Sequence, residues 1–178
     1  INQNYMETEQ EQKPSLLRRV FTMIIGIFLL SLVLSYFIFD ESTRLTILCF
    51  LTSSKLNNNT LTVDKTTNLI FNNASLSTLN HLYDSNLEVE FKACLKGDKI
   101  NNTYFITETI QPRTFQQEYN FVIAESCPKG TLVDLHTHPF NQCIPSEIDV
   151  KNFRKFQKQN PDALLAVMCE KDRFYFYR

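Results

Sequence analysis

Val133-Asp134-Leu135-His136-Thr137-His138-Pro139, followed by Phe140–Pro145 and then Ser146-Glu147-Ile148-Asp149, holds two of the three histidines in the chain. Apolar and polar residues alternate through Thr131–His136, so this segment reads as a strand that gives way to a loop at Pro139. On a strand, positions i and i+2 face the same way, so His136 and His138 present both imidazoles on one side, a few ångströms apart. Two neutral imidazoles so placed form half of a zinc site, and a carboxylate suits the metal as a third ligand. Pro145-Ser146 reads as a helix start, with Asp149 one turn in and able to reach back toward the strand end. A His136-His138-Asp149 set leaves the fourth tetrahedral position to water, as a catalytic zinc requires. On such a metal the water pKa falls to ~7 from ~15.7. Plain structural readings exist for the same residues: two half-exposed sheet histidines, and a capping box at Ser146-x-x-Asp149. His81 falls on a helix surface, and Cys143 reads as a small buried loop residue.

Outward from this segment the chain alternates between short strands and helices. Leu69–Phe71 is a short strand. Ser75–Tyr83 is a helix with Leu76, Leu79 and Leu82 on one face, capped near Asn73 or Ser75. Leu87–Lys96 alternates and is predicted to stop at Gly97, while Tyr104–Ile110 and Asn120–Ala124 are further strands. Ser146–Gln159 is helical and ends before Asn160-Pro161. Leu164–Cys169 and Arg173–Tyr177 form a hairpin around Glu170-Lys171-Asp172. The pattern is α+β: one mixed sheet flanked by two helices. Fifteen Phe and seven Tyr with only three Gly fit a strand-rich domain with an aromatic core.

The N-terminal part differs in kind. Residues 1–19 are a polar tail carrying Glu7, Glu9 and Glu11. Residues 20–39, VFTMIIGIFLLSLVLSYFIF, run without a charge and as a helix would span ~30 Å, the hydrocarbon thickness of a bilayer. This reads as an uncleaved membrane anchor, since the apolar run is too long for a signal peptide and no small-x-small site precedes Asp40. Lys13, Arg18 and Arg19 precede it while Asp40 and Glu41 follow, which favours a cytoplasmic N-terminus and a main domain outside. There the triplets beginning at Asn58, Asn73 and Asn101 would be glycan acceptors. Residues 40–66 read as a linker containing one apolar run, Leu45–Leu51, too short to cross a membrane and suited to an extra strand or an interfacial stretch.

A net charge of −1 provides no basic footprint for nucleic acid. The five cysteines, Cys49, Cys94, Cys127, Cys143 and Cys169, are scattered and contain no CxxC pair. They indicate neither a cysteine zinc knot nor a disulfide framework, and leave one bridge open in an oxidising compartment.

His136-x-His138-Pro139, six residues, Ser146, two residues and Asp149 resembles the signature of the JAMM (MPN-type) metallopeptidases. The family also places a glutamate upstream in a strand written roughly E-x-x-x-x-L-x-G. Glu90-Phe91-Lys92-Ala93-Cys94-Leu95-Lys96-Gly97 matches it, 46 residues before His136. The resemblance covers about residues 67–178, and the chain departs from it in a short connection from Gly97 to His136. It implies one zinc held by His136, His138 and Asp149, Glu90 as general base and Ser146 as hydrogen-bond donor to the oxyanion. Glu88 is the rival for the base, and Glu147 is a solvated first-turn acid. It implies too a peptide or isopeptide bond in a protein substrate, cleaved by a chain attached to the membrane through residues 20–39. Two relatives within that family are alternatives: a metal-free scaffold that binds partners without catalysis, and a RadC-like protein, whose loop also carries P-S-x-x-D. The D-x-H-x-H opening of amidohydrolases also fits Asp134–His138, but that barrel needs ~200 further residues, and only 40 follow His138.

Overall fold

Strand-forming runs rich in Val, Ile, Thr, Phe and Tyr, separated by Asn, Asp and Gly, dominate the chain from Ser54 onward, and they pair as that composition requires. The computed structural model describes residues 15–139 and 142–178. Its elements in order are α1 (Leu16–Phe39), α2 (Glu41–Thr52), β1 (Ser54–Lys55), β2 (Thr60–Thr62), β3 (Asn68–Phe71), α3 (Asn73–Ser85), β4 (Lys92–Ile100) and β5 (Thr103–Ile110). After these come β6 (Thr114–Gln117), β7 (Val122–Ala124), β8 (Thr131–Thr137), α4 (Glu147–Gln157), β9 (Leu164–Glu170) and β10 (Arg173–Tyr177). Contacts divide the chain into two units, residues 1–44 and 45–178.

The first unit is helical. Ser15 caps α1 by accepting from the Arg18 N–H. The span Leu16–Ile38 is long and apolar enough to cross a membrane, a property it shares with signal sequences, and its side chains face outward. Its serine and threonine hydroxyls are returned to the helix's own backbone: Thr22 donates to the Arg18 carbonyl at 2.8 Å, Ser31 to Phe28 at 2.7 Å and Ser35 to Leu32 at 2.8 Å. Such bonds satisfy these three hydroxyls without water.

The second unit is an α+β domain built on a mixed sheet in the order β1-β10-β9-β8-β4-β5-β3-β2, with β6 and β7 forming a separate hairpin. β8 pairs parallel with β9 and β3 parallel with β5; the remaining pairs are antiparallel. Alternation along β8 sets the layers. Val133 and Leu135 are fully buried in the main core with Ala93, Leu95, Ala166, Met168 and Leu79 of α3. Each such buried Leu or Phe contributes about 1.5–3 kcal/mol. The opposite face carries Asp134 and His136, which stand beside Cys94, Lys92 and Leu165 in the strand register. There Phe153 of α4 packs on Leu165 and Ala163, with Phe156 and Tyr177 alongside, so α4 lies over the face that bears His136.

The structure revises several expectations. Residues 40–66, read as a linker, contain α2, β1 and β2, and the run Leu45–Leu51 lies within α2 rather than in a strand. Both short strands join the sheet edges, β1 on β10 and β2 on β3. The strand expected over Leu87–Lys96 starts instead at Lys92 and runs through Gly97 to Ile100, because residues 87–89 form a turn after α3. β6 had no counterpart in the sequence reading. The cysteines were read as indicating no disulfide framework, yet Cys94 of β4 and Cys127 of the loop before β8 form a disulfide with Cα atoms 5.5 Å apart. By loop-closure entropy this link contributes about 3–4 kcal/mol.

Gly97 does not end β4; it sits at an irregularity in the β4–β5 pairing, opposite Ile106. A Cβ built there would overlap the Phe105 carbonyl oxygen, with the Phe105 carbonyl carbon and Ile106 Cα close behind. Backbone cannot swing aside as a side chain can, so Gly97→Ala is expected to cost about 1–3 kcal/mol. Urea unfolding of the full chain in detergent micelles checks this; an unchanged midpoint would show that β5 yields freely.

Candidate functional site

Three segments supply the site. β8 supplies His136 and, one residue past its end, His138; the start of α4 supplies Ser146 and Asp149; the segment leading into β4 supplies Glu90. Each is fixed by its backbone. Thr137, between the histidines, donates its N–H to the Phe91 carbonyl at 3.0 Å, and its Oγ1 accepts from the Phe91 N–H at 2.9 Å. The Glu90 N–H bonds the Glu118 carbonyl at 2.8 Å. Glu90 is thereby clamped on both sides although it precedes the strand proper.

The side chains converge. His136 Nε2 and His138 Nε2 are 3.1 Å apart. Asp149 Oδ2 lies 3.5 Å from the first and 3.7 Å from the second. Glu90 Oε1 is 3.6 Å from His138 Nε2. Side-chain exposures of 9% for His136, 11% for His138 and 9% for Glu90 against 26% for Asp149 make the pocket closed beneath and open toward α4. Nδ1 of His138 is buried and has no hydrogen-bond partner among the described residues, so packing and its Nε2 side hold that ring.

The capping-box reading of Ser146-x-x-Asp149 is borne out. Ser146 Oγ accepts from the Asp149 N–H, and Asp149 Oδ2 accepts from the Ser146 N–H at 2.8 Å and from its hydroxyl at 2.6 Å. This is a capping box. It also locks the Asp149 carboxylate with Oδ2 aimed at both imidazoles.

Burial disfavours the charged form of Asp149, but hydrogen bonds from His136, His138 and Ser146 outweigh it and hold the carboxyl well below the usual range. Glu90 goes the other way. Burial pushes it up from its ordinary value to about 7, with the Asp149 charge adding to the rise and His138 opposing it. Two carboxyl groups in one pocket are thus split, one kept ionised and one poised to take up or release a proton near neutrality.

His136, His138 and Asp149 form a group able to hold a metal ion. Ligands at ~2.0–2.1 Å around a tetrahedral zinc are spaced by about 3.3–3.4 Å, and the observed 3.1, 3.5 and 3.7 Å straddle that spacing. The donor set, two imidazole nitrogens and one carboxylate oxygen, is the chemistry zinc accepts. Glu88 is exposed in the turn before Glu90 and stands outside the group; His81 and Glu147 are exposed too. Cys143 is buried in a cluster with Cys49 and Cys169. Sequence reasoning overlooked Thr137 and β6, and it read Asn120–Ala124, which contains β7, only as a strand. Tyr119, Phe121 and Ile123 of the β6–β7 hairpin line a cleft of about 520 Å³ with Glu90, His138, Ile148 and Asp149.

Because Glu90 is raised in the folded chain, its contribution to the stability of the metal-free protein is fully present below about 4.5 and is lost as pH climbs through about 7. Glu90→Gln, neutral throughout, is expected to remove that decline. At pH 8 it should exceed the metal-free parent by about 1–2 kcal/mol after allowance for solvent screening. Urea unfolding of chelator-treated chains from pH 4 to 8 reads this directly; parallel pH curves for the two would contradict it.

Comparison with known proteins adds a distant likeness. No family model matches the chain. The AMSH-like ubiquitin thioesterase 1 of Arabidopsis thaliana is 28% identical over 108 aligned residues, which cover 54% of this chain and 21% of that protein. The chain therefore spans about a fifth of the length of the curated relative it matches.

Proposed function

We propose that this chain is a membrane-anchored hydrolase of the JAMM metallopeptidase type that cleaves a peptide or isopeptide bond. The observation that carries this reading is the buried Glu90 carboxyl 3.6 Å from His138 Nε2, delivered from 48 positions upstream onto the pair that shares Asp149. A capping box and two strand histidines would need no such partner. The distant relative, whose name makes it a hydrolase acting on ubiquitin, supports the same class.

His136, His138 and Asp149 would hold one zinc ion. When bound, that ion supplies Lewis acidity, which polarises a carbonyl and makes water a nucleophile near neutral pH. Glu90, whose Oε1 faces His138 Nε2 at 3.6 Å, takes the proton from the attacking water and passes it to the leaving amine. Ser146 Oγ–H, now donated to Asp149, belongs to a residue lining the cleft and would turn to the developing oxyanion. The apolar wall of Tyr119, Phe121, Ile123 and Ile148 suits an extended segment of protein laid across the cleft. The Cys94–Cys127 disulfide supports a domain exposed to an oxidising compartment, in keeping with a cytoplasmic N-terminus and an anchor in α1.

The full chain purified in detergent should carry about one zinc, and His136→Ala should lose it. Glu90→Gln should retain zinc and lose hydrolysis by a factor of about 100 or more, measured on isopeptide-linked ubiquitin and on a mixture of unstructured peptides. No bound zinc in the parent, or full turnover in Glu90→Gln, would count against the assignment.

A further inference from the structure

Five cysteines cannot all be paired with one another: each disulfide takes two, so at least one sulfur lies outside any bond within this set. Cys94 and Cys127 form a pair of their own. The other three come from three different segments, Cys49 from α2, Cys143 from the loop before α4 and Cys169 from β9. They pack together with exposures of 1, 0 and 2%, under Tyr175. Cys143 is within bonding reach of both neighbours, with Cα–Cα distances of 5.1 Å to Cys49 and 5.0 Å to Cys169. Both lie inside the ~4.4–6.8 Å window that a disulfide spans without backbone movement. The outer sulfurs, Cys49 and Cys169, are 3.8 Å apart.

We propose that these residues form an internal thiol–disulfide exchange site in which Cys143 is bonded alternately to Cys169 and to Cys49. One sulfur makes one disulfide, so the two pairings exclude each other and the leftover residue is the thiol. In the forward step the Cys49 thiolate attacks Cys143 Sγ. The Cys49–Cys143 bond forms as the Cys143–Cys169 bond breaks, and the electron pair leaves on Cys169. The proton shed by Cys49 ends on Cys169, whose S–H has the Arg173 carbonyl 3.6 Å away as acceptor. No electrons enter or leave, so neither oxidant nor reductant is consumed. Burial keeps the resting sulfur from external reagents, while the intramolecular partner is already in contact.

Three clustered sulfurs are also a candidate metal set. A closed structural zinc takes four ligands, and no fourth His, Cys, Asp or Glu joins this group among the described residues. The Cys94–Cys127 bond in the same unit marks an oxidised domain. The exchange has a structural consequence. Cys143 lies three residues before Ser146, so the segment entering α4, the helix that bears Asp149, stays covalently tethered while its anchor passes between β9 and α2. The proposal stands whether or not that centre is catalytic.

The test is acid quenching of the full chain in detergent, alkylation of thiols under denaturing conditions, and mass spectrometry of non-reduced peptides. The expected result is one alkylated cysteine per chain, divided between Cys49 and Cys169 and absent from Cys143, with both Cys143-linked peptides recovered. Cys49→Ser should contain only Cys143–Cys169, and Cys169→Ser only Cys49–Cys143, each without a free thiol. If one variant fails to fold, the label distribution in the parent chain still decides. Label confined to one residue with one linked peptide, label on Cys143, or three thiols accompanied by a second bound metal would each overturn the proposal.

Discussion

The register of β8 between β4 and β9 is the constraint on which the candidate centre depends. His136 stands opposite Lys92 on one side and beside Val167 on the other, and Thr137 exchanges two hydrogen bonds with Phe91. Side chains alternate with a period of two, so a slip of one residue would send Val133 and Leu135 to the α4 face and both histidines into the apolar core. The main core therefore enforces the geometry of the centre: burying Val133 and Leu135 is possible only when His136 faces α4. The Thr137–Phe91 clamp carries that register one residue further, to Glu90.

Electrostatics then divides labour between two carboxyl groups in the same pocket. Asp149 lies in the first turn of a helix, where N–H groups point outward and negative charge is favoured, and the capping box supplies two further donors from Ser146. Glu90 has the burial without the donors and shifts upward to about 7. One carboxylate is thus fit to remain a ligand and the other to handle protons. The serine and aspartate of the motif act as one structural unit, since the cap that starts α4 is also the device that orients Asp149.

Much of this was legible in the chain wherever the signal was local. The α+β class, the β9–β10 hairpin, α3 with its leucine face and α4 with its cap were readable from periodicity and turn residues, because those patterns repeat within a few positions. The two histidines share a face for the same reason. Glu90 was different: the strand predicted to carry it begins two residues later, and its position over His138 comes from pairing across 46 residues, visible beforehand only through the spacing of a family motif. β1 and β2 were hidden because two or three residues are too short a run to show a period, and only the sheet edges they join turn them into strands. Cysteine spacing likewise carried no trace of the Cys94–Cys127 bond or of the three-sulfur cluster, which exist because strands, loops and a helix far apart in the chain meet.

The account stands on His136, His138 and Asp149 enclosing a common point that a metal fills, and diffraction from crystals of the zinc-loaded protein across the zinc absorption edge tests this most directly. The predicted result is a single strong anomalous peak ~2.0–2.2 Å from His136 Nε2, His138 Nε2 and an Asp149 carboxylate oxygen, with Glu90 beside it but unbound. A peak at the cysteine cluster instead, or a histidine pair with no metal between them at full zinc loading, would contradict it.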